Sequence, residues 1–109
     1  MTIYHLAEPA QWEAARASGS YEQSTLGRTL AEEGFIHCSS AQQWPVVRRA
    51  FYGDYPESLL LLEIDESRLT SPLVREVGNP ETGEEFPHVY GPIDVDAVVG
   101  VTELPAPHA

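Results

Sequence analysis

The sequence predicts an α+β fold, on three observations. Two helical segments come early, mostly strands follow, and no repeat, low-complexity tract or Ser/Gly linker interrupts the 109 residues. A chain of this length holds one domain and buries roughly 65% of its extended surface, enough for a modest core. Residues 1–104 are therefore read as a single domain, and 105–109, with Pro105 and Pro107, as a frayed tail.

Thr2 to Leu6 reads as a strand with Ile3 and His5 on one face and Tyr4 and Leu6 on the other. Pro9 suits the first turn of a helix that carries Trp12, Ala15 and Ala17 and stops at Gly19. Ser20 to Glu33 is weakly patterned, a loop with a helical turn near Thr29 to Glu33. Gly34 then opens a strand, Phe35 to Ser39, with Phe35, His37 and Ser39 on one face and Ile36 and Cys38 on the other. Ser40 and Gln43 form a capping-box pattern, and Trp44, Val47 and Phe51 recur at helical spacing up to Gly53. Pro45 removes a backbone donor there, so this helix is expected to start late or to kink. Leu59 to Asp65 is a continuous apolar run suited to a sheet centre. Leu73 to Val77 is a further strand, and Asn79-Pro80 and Gly83 mark a turn. Phe86 to Tyr90 is extended, with His88 and Tyr90 on one face, and Ala97 to Leu104 closes the domain as an alternating strand.

Charge narrows the function classes. Seventeen acidic residues stand against six basic ones, all arginine, for a net charge of −11. Such a surface repels a phosphate backbone, so no DNA partner is expected and RNA is disfavoured. The longest apolar run, Leu59 to Leu62, is far short of the ~20 residues of a membrane span. No basic region leading into an apolar stretch follows Met1, and a cytoplasmic location is expected. Cys38 is the single cysteine, which excludes an intrachain disulfide and a cysteine-based zinc site. Without lysine there is no Walker site, and neither GxGxxG nor GxSxG occurs.

Histidine carries the remaining signal. His5, His37 and His88 each fall inside an expected strand beside apolar residues, and three imidazoles converging would make a site. A three-histidine metal centre would serve a hydrolase, yet no HxH or HExxH spacing is present and no metal is expected. Cys38 cannot pair with His37, because neighbours on a strand point to opposite faces. His108, in the tail, receives no role.

Taken together, Ile3-Tyr4-His5-Leu6, Gly34-Phe35-Ile36-His37-Cys38-Ser39 and Phe86-Pro87-His88-Val89-Tyr90-Gly91-Pro92 resemble the small bacterial family catalogued as domain of unknown function 952. The likeness runs from Ile3 to about Val101 and includes Trp12, the Leu59 to Asp65 strand and Glu76; Pro45 alone is out of pattern. It implies a fold similar to the ADP-ribosyltransferase superfamily, a split sheet of short, mostly antiparallel strands around a cleft, with two main helices packed outside. In that superfamily the cleft binds NAD. Carried over, His5 matches the position on the first core strand, His37 with Ser39 the second, and His88 with Tyr90 the family's own third block.

The resemblance thus implies a cleft for NAD or an ADP-ribose-like ligand, and transfer of ADP-ribose. His5 and His37 would hydrogen-bond ribose or phosphate oxygens, Ser39 would orient the nicotinamide ribose, and Tyr90 would stack on or close the cleft. Arg48 and Arg49 would neutralise the pyrophosphate. The sequence lacks the Glu-x-Glu or Gln-x-Glu pair of active transferases, Glu63-Ile64-Asp65 being its nearest echo. A noncatalytic binding module that kept the fold is the alternative, and a metal-dependent hydrolase the second alternative. A histidine-based branch similar to RNA 2′-phosphotransferases grips RNA with basic residues, for which a domain at −11 is poorly suited.

Overall fold

A computed structural model describes residues 1–24 and 27–109. Its elements are β1 (Thr2–Ala7), α1 (Pro9–Ser18), β2 (Ser20–Tyr21), α2 (Leu30–Glu33), β3 (Ile36–His37), α3 (Trp44–Tyr52), β4 (Leu59–Asp65), β5 (Leu73–Asn79), β6 (Glu84–Val89), β7 (Ile93–Asp94) and β8 (Val98–Leu104). Single 3₁₀ turns at Glu66–Arg68 and Val95–Ala97 lead out of β4 and into β8. The α+β class stands. Thr25 and Leu26, within the weakly patterned stretch, lie outside the described residues.

The strands form two three-stranded sheets, ordered β1-β4-β8 and β3-β6-β5, and a two-stranded ribbon β2-β7; every pairing is antiparallel. Tyr4 and Ser39 bridge the two larger sheets through reciprocal backbone hydrogen bonds of 2.8 Å. That single bridge brings His5 and His37 to the junction. The short β2 and β7 carry no alternation that two residues can display, so the sequence pattern does not mark them.

Local chemistry explains the helices. Pro9 starts α1, Trp12 and Ala15 face inward three residues apart, and Gly19 stops it with φ 89°. Thr29 and Glu32 close a capping box on α2, and Gly34 ends it at φ 87°. Ser40 and Gln43 do exchange capping-box bonds, of 2.9 and 3.3 Å, but they close a turn one step upstream of α3. The helix itself begins at Trp44, so Pro45 sits in its first turn, where a missing N–H costs little. The expectation of a late start holds, and α2 adds a third, one-turn helix to the two main ones.

β4 is the centre of its sheet and is buried on both faces. Leu62 and Ile64 join Ile3, Ala7, Trp12 and Ala15 in the larger core, whereas Leu59 and Leu61 pack with Leu6 and Tyr52 under α3. Each such side chain contributes roughly 1.5–3 kcal/mol by leaving water. The unbroken Leu59 to Leu62 run is the consequence of serving two cores at once.

The tail corrects an expectation. His108 is 1% exposed, accepts at Nδ1 from Arg48 Nε (2.8 Å) and donates from Nε2 to the Glu57 carbonyl (2.7 Å). Arg48 also donates to the Pro105 carbonyl at 2.9 Å. Residues 105–109 are therefore docked, not frayed, because a buried imidazole with both nitrogens paired holds them.

Candidate functional site: an imidazole pair beside a cleft

β3 and β6 place His37 directly opposite His88, and the rings lie 5.0 Å apart at 44°. Alternation puts Phe35, His37, Phe86, His88 and Tyr90 on one face. Phe35 stacks on His88 at 4.1 Å, and Phe86 lies 5.0 Å from the His37 ring. From β5, Glu76 accepts from His88 Nδ1 at 2.7 Å and from the Tyr90 hydroxyl through the same oxygen, Oε1. Glu76 thereby fixes the tautomer: a carboxylate only accepts, so Nδ1 of His88 carries the proton. The hydroxyl of Tyr90, then His88, hold the Glu76 carboxyl below its ordinary range, and Glu76 in turn pushes the Tyr90 phenol up.

Three ring nitrogens find no hydrogen bond among the described residues. His88 Nε2 is buried and has no hydrogen-bond partner among the described residues, at a residue only 4% exposed. The His37 ring likewise makes ring contacts but no hydrogen bond among the described residues. Burial, and secondarily His88, push the His37 pKa down to about 4, so its imidazole is neutral near pH 7. Neutral His37 is both donor and acceptor.

His5 differs. Its Nδ1 donates to the His37 carbonyl at 2.7 Å, which leaves Nε2 to accept from the Tyr21 hydroxyl at 3.0 Å. Burial lowers its pKa to about 4, partly offset by the His37 carbonyl. His5 is a neutral strut that fixes the backbone of β3, and both of its ring nitrogens are already engaged.

A cleft of about 340 Å³ opens at this junction. Tyr4, His5 and Leu6 of β1 line it with His37, Ser39 and Gly78; Val47, Phe51 and Tyr52 of α3 form an apolar wall, and Arg28 and Glu33 stand at its side. Gly78 is required where it is, since a Cβ there would come within 2.6 Å of the Phe86 ring.

The structure brings together most of the expected residues but not the arginines. His5, His37 and Ser39 line the cleft, and His88 and Tyr90 stand behind His37 through ring contacts and Glu76. Arg48 is turned to the tail, and Arg49 lines a separate hollow of about 490 Å³ at the end of α3 that holds no histidine. Neither arginine lines the cleft, because α3 presents Val47 and Phe51 to it. Glu76, Arg28 and Tyr21 carry no role in the sequence reading; their partners lie 12, 5 and 16 residues away and meet them only in the fold. Cys38 is fully buried, and burial pushes its thiol up, which makes it inert. Among the described residues no three His, Cys, Asp or Glu side chains are placed to hold a metal ion, and none of the described helices is long and apolar enough to cross a membrane.

Two bridged antiparallel sheets with an imidazole pair beside a cleft define a small α+β protein with a histidine-lined site at the sheet junction. The chain belongs to the family described as Protein of unknown function (DUF952), whose pattern matches residues 6–101. It is similar to the crystal structure of protein CC0527 from Caulobacter crescentus, at 30% identity and a TM-score of 0.77 over 95% of this chain and 86% of that one. The solution NMR structure of the same protein is similar at 28% identity and a TM-score of 0.67, covering 95% and 84%. No curated protein matches the chain.

Proposed function

We propose that the cleft binds NAD or an ADP-ribose-like ligand within an ADP-ribosylation-like split-sheet fold, and that transfer of ADP-ribose is the reaction such binding serves. The observation that carries this reading is the His37 ring, which no described residue hydrogen-bonds, in a cleft that is polar at His37 and Ser39 and apolar at Val47 and Phe51. A ribose presents adjacent hydroxyls, each donor and acceptor, which match a neutral imidazole and a serine hydroxyl. A flat ring matches the Phe51 wall. At about 340 Å³ the cleft is at the small end of ligand sites, which span ~300–1,000 Å³, and suits one nucleoside end of a dinucleotide. His88, oriented by Glu76, backs His37 and sets its environment; His5 lines the cleft and positions β3, with both ring nitrogens already engaged.

Calorimetric titration of NAD and ADP-ribose tests the assignment. His37→Ala is expected to weaken binding about three- to tenfold, the equivalent of one hydrogen bond of ~0.5–1.5 kcal/mol. Unchanged affinity in a folded His37→Ala variant would remove His37 from the site.

A specific observation also favours the noncatalytic alternative. Of the residues lining the cleft, Glu33 is the one carboxylate, and it is paired with Arg28. An oxocarbenium-like transition state needs a negative charge beside it. Binding without turnover predicts that long incubation with NAD releases no nicotinamide; steady release would favour the transferase.

A further inference from the structure

A nucleotide brings phosphate, and with Arg48 held at the tail the site needs another cation. Arg28 is the one basic side chain among the residues that line the cleft. Its Nη1 meets Glu33 Oε2 at 3.3 Å in a single contact, with the side chains 58% and 30% exposed. Such a pair contributes only ~0–1 kcal/mol, so it yields readily to a better acceptor. A phosphate offers several charged oxygens to the planar fork of a guanidinium and bonds it more strongly than one long carboxylate contact does. The rest of a surface at −11 repels an anion, which concentrates recognition at this one point.

We infer that Arg28 is the phosphate-recognising residue of the cleft and that Glu33 is an intramolecular stand-in for the ligand, occupying the guanidinium until a phosphate or pyrophosphate group displaces it. This rests on the nucleotide reading above and adds to it the residue that selects phosphorylated over unphosphorylated ligands. The two members of the pair then act in opposite directions. Removing Arg28 deletes the receptor for the phosphate, whereas neutralising Glu33 deletes its competitor. A purely structural ion pair makes no such distinction, since either change breaks the same contact.

The test is to titrate ADP-ribose, and separately inorganic pyrophosphate, into the wild type, Arg28→Ala and Glu33→Gln, following affinity by calorimetry and amide shifts. Both positions are at the surface, and thermal melts confirm folding of each variant. The expected result is a loss of about tenfold or more for Arg28→Ala and a gain of several-fold for Glu33→Gln, with pyrophosphate following the same order. Wild-type binding of ADP-ribose that neither substitution alters, or that both weaken alike, overturns the role of Arg28 and leaves the nucleotide reading standing. Arg28-dependent binding of pyrophosphate without binding of ADP-ribose supports the anion site and overturns the nucleotide reading. No binding of either probe overturns both.

Discussion

The two three-stranded sheets are built alike and used differently. In β1-β4-β8 the central strand is apolar on both faces and divides two cores, so its side chains serve stability. In β3-β6-β5 one face packs Ile36 and Val89 into the larger core, and the other gathers His37, His88, Glu76 and Tyr90 among aromatic rings. Histidine makes the contrast sharpest: His5 and His108 have both ring nitrogens paired, whereas His37 and His88 keep nitrogens that no described residue takes up. One sheet holds the molecule together, and the other keeps polar groups in reserve beside a cleft.

Substitutions can break that division, and the largest effect belongs to the first sheet. Leu62→Ala, at a fully buried position, is expected to cost ~3–5 kcal/mol in urea unfolding; a cost under ~1 kcal/mol would mean that β4 is not the core strand described.

Acid comes next. His5 and His37 have folded pKa values of about 4, below the unfolded 6.5, so the unfolded chain binds more protons between those limits. Their contribution is fully present above pH 6.5, falls as pH drops, and is lost below about 4, with a slope of up to ~1.4 kcal/mol per pH unit for each. Denaturant titrations from pH 7 to 4 should show this decline, and His5→Phe should flatten it; a wild-type stability that rises toward pH 5 would contradict neutral His5 and His37 imidazoles in the fold.

Gly78→Ala tests the second sheet, since its Cβ would meet Phe86 at 2.6 Å. Displacing that ring is expected to cost ~1–3 kcal/mol and to shift the His37 resonances, whereas an unperturbed His37 would uncouple the aromatic cluster from the site. The smallest effect is expected at Phe51, which is 60% exposed: Phe51→Ala should leave stability within ~0.5 kcal/mol while weakening any ligand that stacks on the cleft wall. A melting point well below that of the wild type would instead make Phe51 part of the core.

Legibility in the sequence followed the range of the interactions. β4 was readable because its apolar run is local, and α1 because Pro9 and Gly19 lie within a few residues of what they cap; the turn near Thr29 to Glu33 was legible, while the Thr29–Glu32 box that closes α2 emerges only in the structure. Pro45 correctly signalled a late start for α3. The strands bearing His5, His37 and His88 were legible from alternation, and their convergence on one junction required the Tyr4–Ser39 bridge and the β3–β6 register, which no local pattern encodes. Glu76 was invisible as a partner of His88 for the same reason, and the docked tail depends on His108 reaching Arg48, 60 residues away. Arg48 looked suitable for pyrophosphate on charge alone, and only its hydrogen bonds reveal that it is occupied.

The most direct measurement is a two-dimensional amide NMR titration with NAD. A saturable set of shifts confined to His37, Ser39, Arg28, Gly78 and the Val47–Phe51 wall, with the Arg48–His108 tail unmoved, is the result predicted for one nucleotide cleft at the sheet junction. No shifts at millimolar NAD, or shifts centred on the hollow beside Arg49, would contradict it.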